Sequence, residues 1–285
     1  MFDGVININK PRGITSHDAV YKLRRITGLK KIGHTGTLDP MASGVLPILT
    51  GKGTKLSDYF IDNNKRYEAT VELGVSTDSY DMEGRVVKTS DKRVSDVEIN
   101  AAVSSFVGEL EQIPPMYSAI KIGGKKLYQL ARKGIEVERS ARKITIFNID
   151  VLNIDGKLLT VDISCSKGTY IRSLCNDIGE LLGTGARLTA LVRSAAGCFK
   201  LEDSVELADL TAENFAGFVR PMDSFFDYPK IIVDGLDLLR TLNGTPLKAS
   251  IGEQGQMYRV YSENGTFLSL SKQDCGRLKL VRIFY

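Results

Sequence analysis

The sequence lacks the features that mark several large classes of protein. No apolar run in its 285 residues approaches the ~20 needed to span a bilayer. The opening stretch, MFDGVININKP, has neither the basic start nor the apolar middle of an export signal, so a cytoplasmic protein with no membrane segment is expected. The four cysteines (Cys165, Cys175, Cys198 and Cys275) form no CxxC pair, and the histidines are only two, His17 and His34. A zinc site of ordinary spacing is therefore not expected, and the cysteines read as reduced, mostly buried thiols. The run Gly51-Lys52-Gly53-Thr54 is not a nucleotide phosphate loop, because Leu46 stands where that motif needs glycine.

What remains is a globular composition, with 42% hydrophobic and 25% charged residues. The length suits one large domain and one small one, with boundaries expected at 1–225 and 226–285. The net charge of +4 is unevenly placed. Residues 1–56 carry nine Lys/Arg against three acids, and residues 119–143 carry eight against two. The rest of the chain is net acidic. Two basic blocks on an acidic background suit a polyanion footprint, although solvated surface charge gives the same pattern.

Strands and helices alternate without a regular βαβ rhythm, which predicts an α+β fold around a mixed, largely antiparallel sheet flanked by helices. Residues 4–8 read as a strand ending at Pro11, and Ser16 as the N-cap of a basic-faced helix over 17–27. Lys65–Val75 alternates as a strand with Tyr67, Ala69, Val71 and Leu73 on one side. Residues 95–109 read as a helix with Val97, Ile99, Ala102, Val103, Phe106 and Val107 inward. A hairpin is expected around Asp155-Gly156, followed by a helix opening near Arg172 with Ile171, Leu174, Cys175, Ile178, Leu181 and Leu182 as its stripe. In the second basic block, Gly123-Gly124 reads as the hinge of an arm with cations at its tip, or as an ordinary surface hairpin. Arg220-Pro221 and Tyr228-Pro229 read as a linker to a β-rich end.

The segment Gly33–Pro47, GHTGTLDPMASGVLP, breaks every period and reads as a stiff loop shaped by Gly33, Gly36 and Gly44. Asp39 sits inside it before Pro40, which biases the aspartate to an extended backbone. By itself Leu-Asp-Pro is most simply an Asx turn. Arg172 lies in the first turn of its expected helix, where a cation opposes the helix dipole, so an anionic partner is expected nearby.

The run from Gly33 to Pro40, followed by Ala42, Gly44 and Leu46, closely resembles the signature loop of the tRNA pseudouridine-55 synthase family, the TruB type. The resemblance implies that Asp39 is the catalytic residue and that Arg172, within Gly168-Thr169-Tyr170-Ile171-Arg172, pairs with it. It further implies that Tyr67 stacks on the target base, that Tyr170 belongs to the same substrate-binding motif, and that Lys10 of Asn9-Lys10-Pro11 lies beside the site. A lysine following a strand is equally an ordinary surface residue. His34 would occupy the stack vacated by a flipped base, or would simply bond to loop backbone. Leu191 would line the pocket, within a Leu-Val-Arg run where the family has Leu-Arg-Arg. The basic arm at 119–143 resembles the family's RNA-gripping thumb, and the C-terminus its small PUA-like RNA-binding domain.

The implied activity is isomerisation of uridine 55 in the T-arm of tRNA by base flipping, with no cofactor or metal and by a monomer. Two other classes suit parts of the sequence. A non-catalytic tRNA-binding or tRNA-folding protein would keep the basic blocks and dispense with Asp39. An aspartyl phosphotransferase or hydrolase would need magnesium-binding carboxylates beside Asp39, and the nearest acids, Asp18 and Asp58, lack that spacing.

Overall fold

The computed structural model describes residues 2–61, 63–248 and 252–285. The strands of its first part are β1 (Gly4–Lys10), β2 (Ile32–His34), β3 (Ser43–Thr50), β4 (Lys65–Leu73), β5 (Val75–Thr77), β6 (Val86–Thr89), β7 (Gly108–Gln112), β8 (Lys121–Ile122), β9 (Lys125–Lys126), β10 (Arg142–Asp155), β11 (Leu158–Cys165), β12 (Ala186–Ala196), β13 (Phe199–Lys200), β14 (Val205–Glu206) and β15 (Arg220–Pro221). Further on come β16 (Lys230–Val233), β17 (Leu247–Lys248), β18 (Met257–Ser262), β19 (Phe267–Asp274) and β20 (Arg277–Ile283). The helices are α1 (Ser16–Thr27), α2 (Ser57–Ile61), α3 (Asp96–Ser104), α4 (Leu127–Ala131), α5 (Ile171–Leu182), α6 (Phe215–Phe218) and α7 (Gly235–Leu242). None is long and apolar enough to cross a membrane, among the described residues.

One sheet runs β14-β1-β3-β12-β4-β11-β10-β7, with β2 added beside β3, β13 beside β12 and β15 beside β1. Its pairings are antiparallel except β1 with β14 and β3 with β12. This is the mixed, largely antiparallel α+β architecture expected from the sequence. A second sheet, β16-β18-β19-β20-β17, forms the β-rich C-terminal part.

The side-chain alternation of a strand explains how the two sheets join. On β1, Ile6 and Ile8 face the core beneath α1, α3 and α5, while Val5 faces the other way; on β3, Leu46 and Ile48 face that same core, and Val45 and Leu49 the opposite one. The opposite core is closed by Phe60, Phe199, Met222, Phe226, Leu270 and Phe284, so β1 and β3 are buried on both faces and read as continuous apolar runs. On β4 only Tyr67, Ala69, Val71 and Leu73 are buried, and the outward face keeps Arg66, Glu68 and Glu72.

Several boundaries differ from the sequence reading. Helix α1 is capped by Thr15 rather than Ser16, because the Thr15 hydroxyl accepts from the Asp18 amide while the Asp18 carboxylate accepts from the Thr15 amide. Helix α3 ends at Ser104 rather than 109, so Val107 lies beyond it and is exposed; Val97 within α3 and Leu181 of α5 are also exposed. Of the free cysteines, Cys165 and Cys175 are buried but Cys198 and Cys275 are exposed, so burial holds for half of them. Gly123 and Gly124, both at positive φ, form the turn of the β8–β9 hairpin, so they lie at its tip rather than at a hinge. Arg220-Pro221 is not a linker: it pairs with β1, and Phe225 and Phe226 after it pack edge-on against Phe60 and Tyr59.

Candidate active site

The irregular loop is shorter than its sequence suggests, because β2 reaches His34 and β3 starts at Ser43; the loop proper spans 35–42. It is tied down from three sides. The Ser16 hydroxyl, at the start of α1, accepts from the Leu38 amide at 2.8 Å and donates to the Leu38 carbonyl at 3.0 Å. The Gly13 amide donates to the Pro40 carbonyl at 2.8 Å. The Arg193 guanidinium, rising from β12, donates to the carbonyls of Gly36, Thr37 and Val45. Of the three glycines expected to shape this segment, only Gly44 is at a position that excludes a side chain. Its φ is +108°, and a Cβ there would lie 2.3 Å from the Arg193 carbonyl, where β3 and β12 meet. Gly33 faces open space and Gly36 meets only the Arg193 guanidinium, at 3.7 Å.

This anchored loop presents the Asp39 carboxylate, 35% exposed, to a guanidinium that is 5% exposed. Arg172 Nε donates to Asp39 Oδ2 at 2.8 Å. The other arms of the same fork donate to the carbonyls of Ser79 at 3.2 Å and Tyr117 at 2.8 Å, and Nη1 lies 3.5 Å from Asp81 Oδ2. Asp81 is itself buried and accepts from the Ser79 hydroxyl and the Glu83 amide. Arg172 is the second residue of α5, and two carboxylates offset its placement at the positive end of that helix. A guanidinium with every edge engaged is held in one orientation, and so is the carboxylate it meets.

Of the remaining sequence candidates, Lys10, Tyr67 and Tyr170 lie within electrostatic reach of Asp39. Tyr67, on β4, is buried, and burial pushes its phenol up, with the Arg193 charge opposing. Tyr170 caps α5 and exchanges two backbone hydrogen bonds with the Gln112 side chain at the end of β7; burial pushes its phenol up too. Leu191, on β12, is buried in the same core as Leu38, Met41 and Tyr67. His34 closes β2, and burial, followed by the Arg193 charge, pulls its imidazole down, which keeps the ring neutral at pH 7. Its Nδ1 is buried without a protein partner, so it does not bond to loop backbone through that atom.

Lys10 is no surface lysine. It is fully buried, with Nζ donating to the carbonyls of Pro11 at 2.8 Å and Ile14 at 2.9 Å. Burial lowers its pKa to about 8, against the pull of Asp39.

Sequence reasoning singled out none of Arg193, Gln112 and Asp81. The signal for Arg193 was available in part: it follows Val192, the position at which the Leu-Arg-Arg pattern is broken. Away from these residues, the arm built from β8, β9 and α4 carries Lys121, Lys125, Arg132 and Lys133 exposed, and Lys126 and Arg132 flank the Tyr128 ring, each 5.6 Å from its centroid.

The chain is similar along its whole length to known proteins. Residues 24–171 match the pattern "TruB family pseudouridylate synthase (N terminal domain)", and residues 172–227 match "tRNA pseudouridylate synthase B C-terminal domain". The proteins named tRNA pseudouridine synthase B of Clostridium kluyveri and Clostridium novyi are 45% and 46% identical, each over 99% of both chains. That of Aromatoleum aromaticum is 45% identical over 95% of this chain and 89% of its own. Among solved structures, a Cbf5-Nop10-Gar1 complex contains a chain with TM-score 0.72 and 27% identity, covering 100% of this chain and 85% of that one. An H/ACA RNP bound to a substrate RNA containing 2'-deoxyuridine contains one with TM-score 0.71 and 25% identity, covering 99% and 85%. By full-length similarity and by matched patterns on both sides of the Asp39–Arg172 pair, this chain belongs to the TruB family of pseudouridylate synthases.

Proposed function

We propose that this chain is a tRNA pseudouridine synthase, an isomerase that converts uridine 55 of the T-arm to pseudouridine with Asp39 as its catalytic group. The observation that carries the reading is the accessible Asp39 carboxylate, gripped by the buried Arg172 fork beside a buried Tyr67. The isomerisation breaks the N1–C1′ bond and makes a C5–C1′ bond. C5 loses a proton and N1 gains one, so the reaction needs no added oxidant, reductant or leaving group. Asp39 can serve it by attacking C6 of the uracil, by attacking C1′ of the ribose, or by taking a ribose proton; all three need an ionised carboxylate with a fixed direction.

A uridine within a folded loop has to leave its stack before either ring face or glycosidic bond is reachable. The exposed cations of residues 119–143 suit the phosphates of the RNA stem, and Tyr67 with Leu191 suits the extruded base. The neutral ring of His34 suits the gap that the base leaves behind. Lys10 and Tyr170 complete the surroundings of the carboxylate. We assign residues 1–225 to the catalytic unit and 226–285 to a small RNA-binding module of PUA-like kind. We place it in the cytoplasm, acting as a monomer.

The test is incubation with an unmodified tRNA transcript, mapping new pseudouridine by chemical modification and primer extension. A single product at position 55 is expected. Asp39→Asn should lower its formation by about 10³-fold or more while tRNA affinity stays within about threefold. Failure to form pseudouridine, or substantial turnover by the variant, overturns the reading.

A further inference from the structure

Among the described residues, Arg193 is the largest side chain that is almost fully buried, at 1% exposure. A guanidinium cannot lose its charge, so burying one is costly unless its donors are met. Here they are met by carbonyls of the Asp39 loop: Nε reaches Val45 at 2.7 Å, Nη2 reaches Gly36 at 3.2 Å and Nη1 reaches Thr37 at 3.4 Å. These acceptors flank Asp39 on both sides. The backbone of Arg193 holds the same segment by another route, since it is the partner of Gly44 in the short parallel pairing of β12 with β3. On its other side Arg193 stands opposite Tyr67 in the antiparallel pairing of β12 with β4. One residue therefore ties the loop that carries the carboxylate to the strand that carries the ring.

We propose that Arg193 is a positioning residue that fixes the direction of the Asp39 carboxylate through the carbonyls on either side of it, and that the loop requires its planar fork rather than its charge. Lysine would keep the charge but donate from one nitrogen only, and glutamine would keep a planar amide without the charge; neither spans all three carbonyls. The proposal rests on the reading of Asp39 as the catalytic group.

Arg193→Lys and Arg193→Gln test it, through kcat, KM, tRNA affinity and amide hydrogen exchange. For Arg193→Lys, KM and tRNA affinity should stay within about threefold of wild type while kcat falls by about 100-fold, the effect of a small misplacement of a reacting group. Exchange over residues 35–42 should accelerate at least about tenfold while β4 and β11 keep their protection. A kcat within about threefold of wild type overturns the proposal. So does acceleration spread evenly over the sheet, which would mark a role in stability alone. If neither variant folds, the wild-type protein decides the question: the Leu38 and Ala42 amides, donating to Ser16 Oγ and to the Asp39 carbonyl, should exchange as slowly as β3, and rapid exchange there defeats the lock. Were Asp39→Asn to retain turnover, the functional reading would fail while the exchange measurements still reported on the lock.

Discussion

Arg172 Nε stands 2.8 Å from Asp39 Oδ2 across 133 positions of sequence, and the same guanidinium lies 3.5 Å from Asp81 Oδ2. The two carboxylates differ in surroundings: the Asp39 side chain is 35% exposed, that of Asp81 only 8%. One is partly open to solvent, and the other backs the arginine from within.

Arg172→Lys should separate geometry from charge. The ammonium cannot engage Asp39, Asp81 and the carbonyls of Ser79 and Tyr117 together, so buried acceptors are left without donors. We expect kcat to fall at least about 100-fold and stability to fall by about 3 kcal/mol, read by steady-state kinetics and urea denaturation. Wild-type kinetics in a folded variant would contradict the role given to the fork.

Binding of tRNA should weaken steeply with salt, because cations on the arm displace counterions from phosphates. Replacing Lys121, Lys125 and Arg132 together by glutamine should reduce the slope of log affinity against log salt by about two to three. KM should rise more than kcat falls. A slope unchanged by the triple variant would move the phosphate contacts elsewhere.

Lys10 gives a pH signature with a definite sign. Its pKa is about 8 in the folded protein against 10.5 for an ordinary lysine. Between those values the unfolded chain binds more protons than the folded one, so this group favours folding progressively more as pH rises from about 8 to about 10.5. Comparing melting of wild type and Lys10→Met at pH 7 and pH 10, the difference should shift in favour of wild type at the higher pH. A constant difference would mean that the ammonium is not held at a cost.

Phe284 is 1% exposed, and its ring stacks on Phe267 with centroids 4.8 Å apart, behind the strands that lead to the Asp39 loop. Phe284→Ala should cost about 3–4 kcal/mol by leaving a cavity between the two sheets. A loss below about 1 kcal/mol would show that the C-terminal sheet is not fastened there.

The residues of this candidate site are legible in the sequence mainly through the resemblance of their motifs, and local rules add two features. The alternation of β4 points Tyr67 inward, and an arginine in the first turn of α5 calls for an anion. Arg193 escapes such reading, since an arginine within a strand looks like an outward face until β12 is known to run between β3 and β4. The length of α3 is misjudged for a related reason: Val97 and Val107 fit the helical period but lie outside the packed stripe. The segment near 220–229 reads as a linker from its prolines, whereas its phenylalanines fill the gap between sheets. Each miss concerns which neighbour covers a residue, and neighbours distant in sequence leave no local trace.

The placement of β12, bonded on one side to β3 and on the other to β4, has a mechanical consequence. The segment that carries Asp39 and the strand that carries Tyr67 are thus joined through a single strand of one sheet. A uridine seated against both groups would therefore meet surfaces set by one strand pairing rather than by two independent segments.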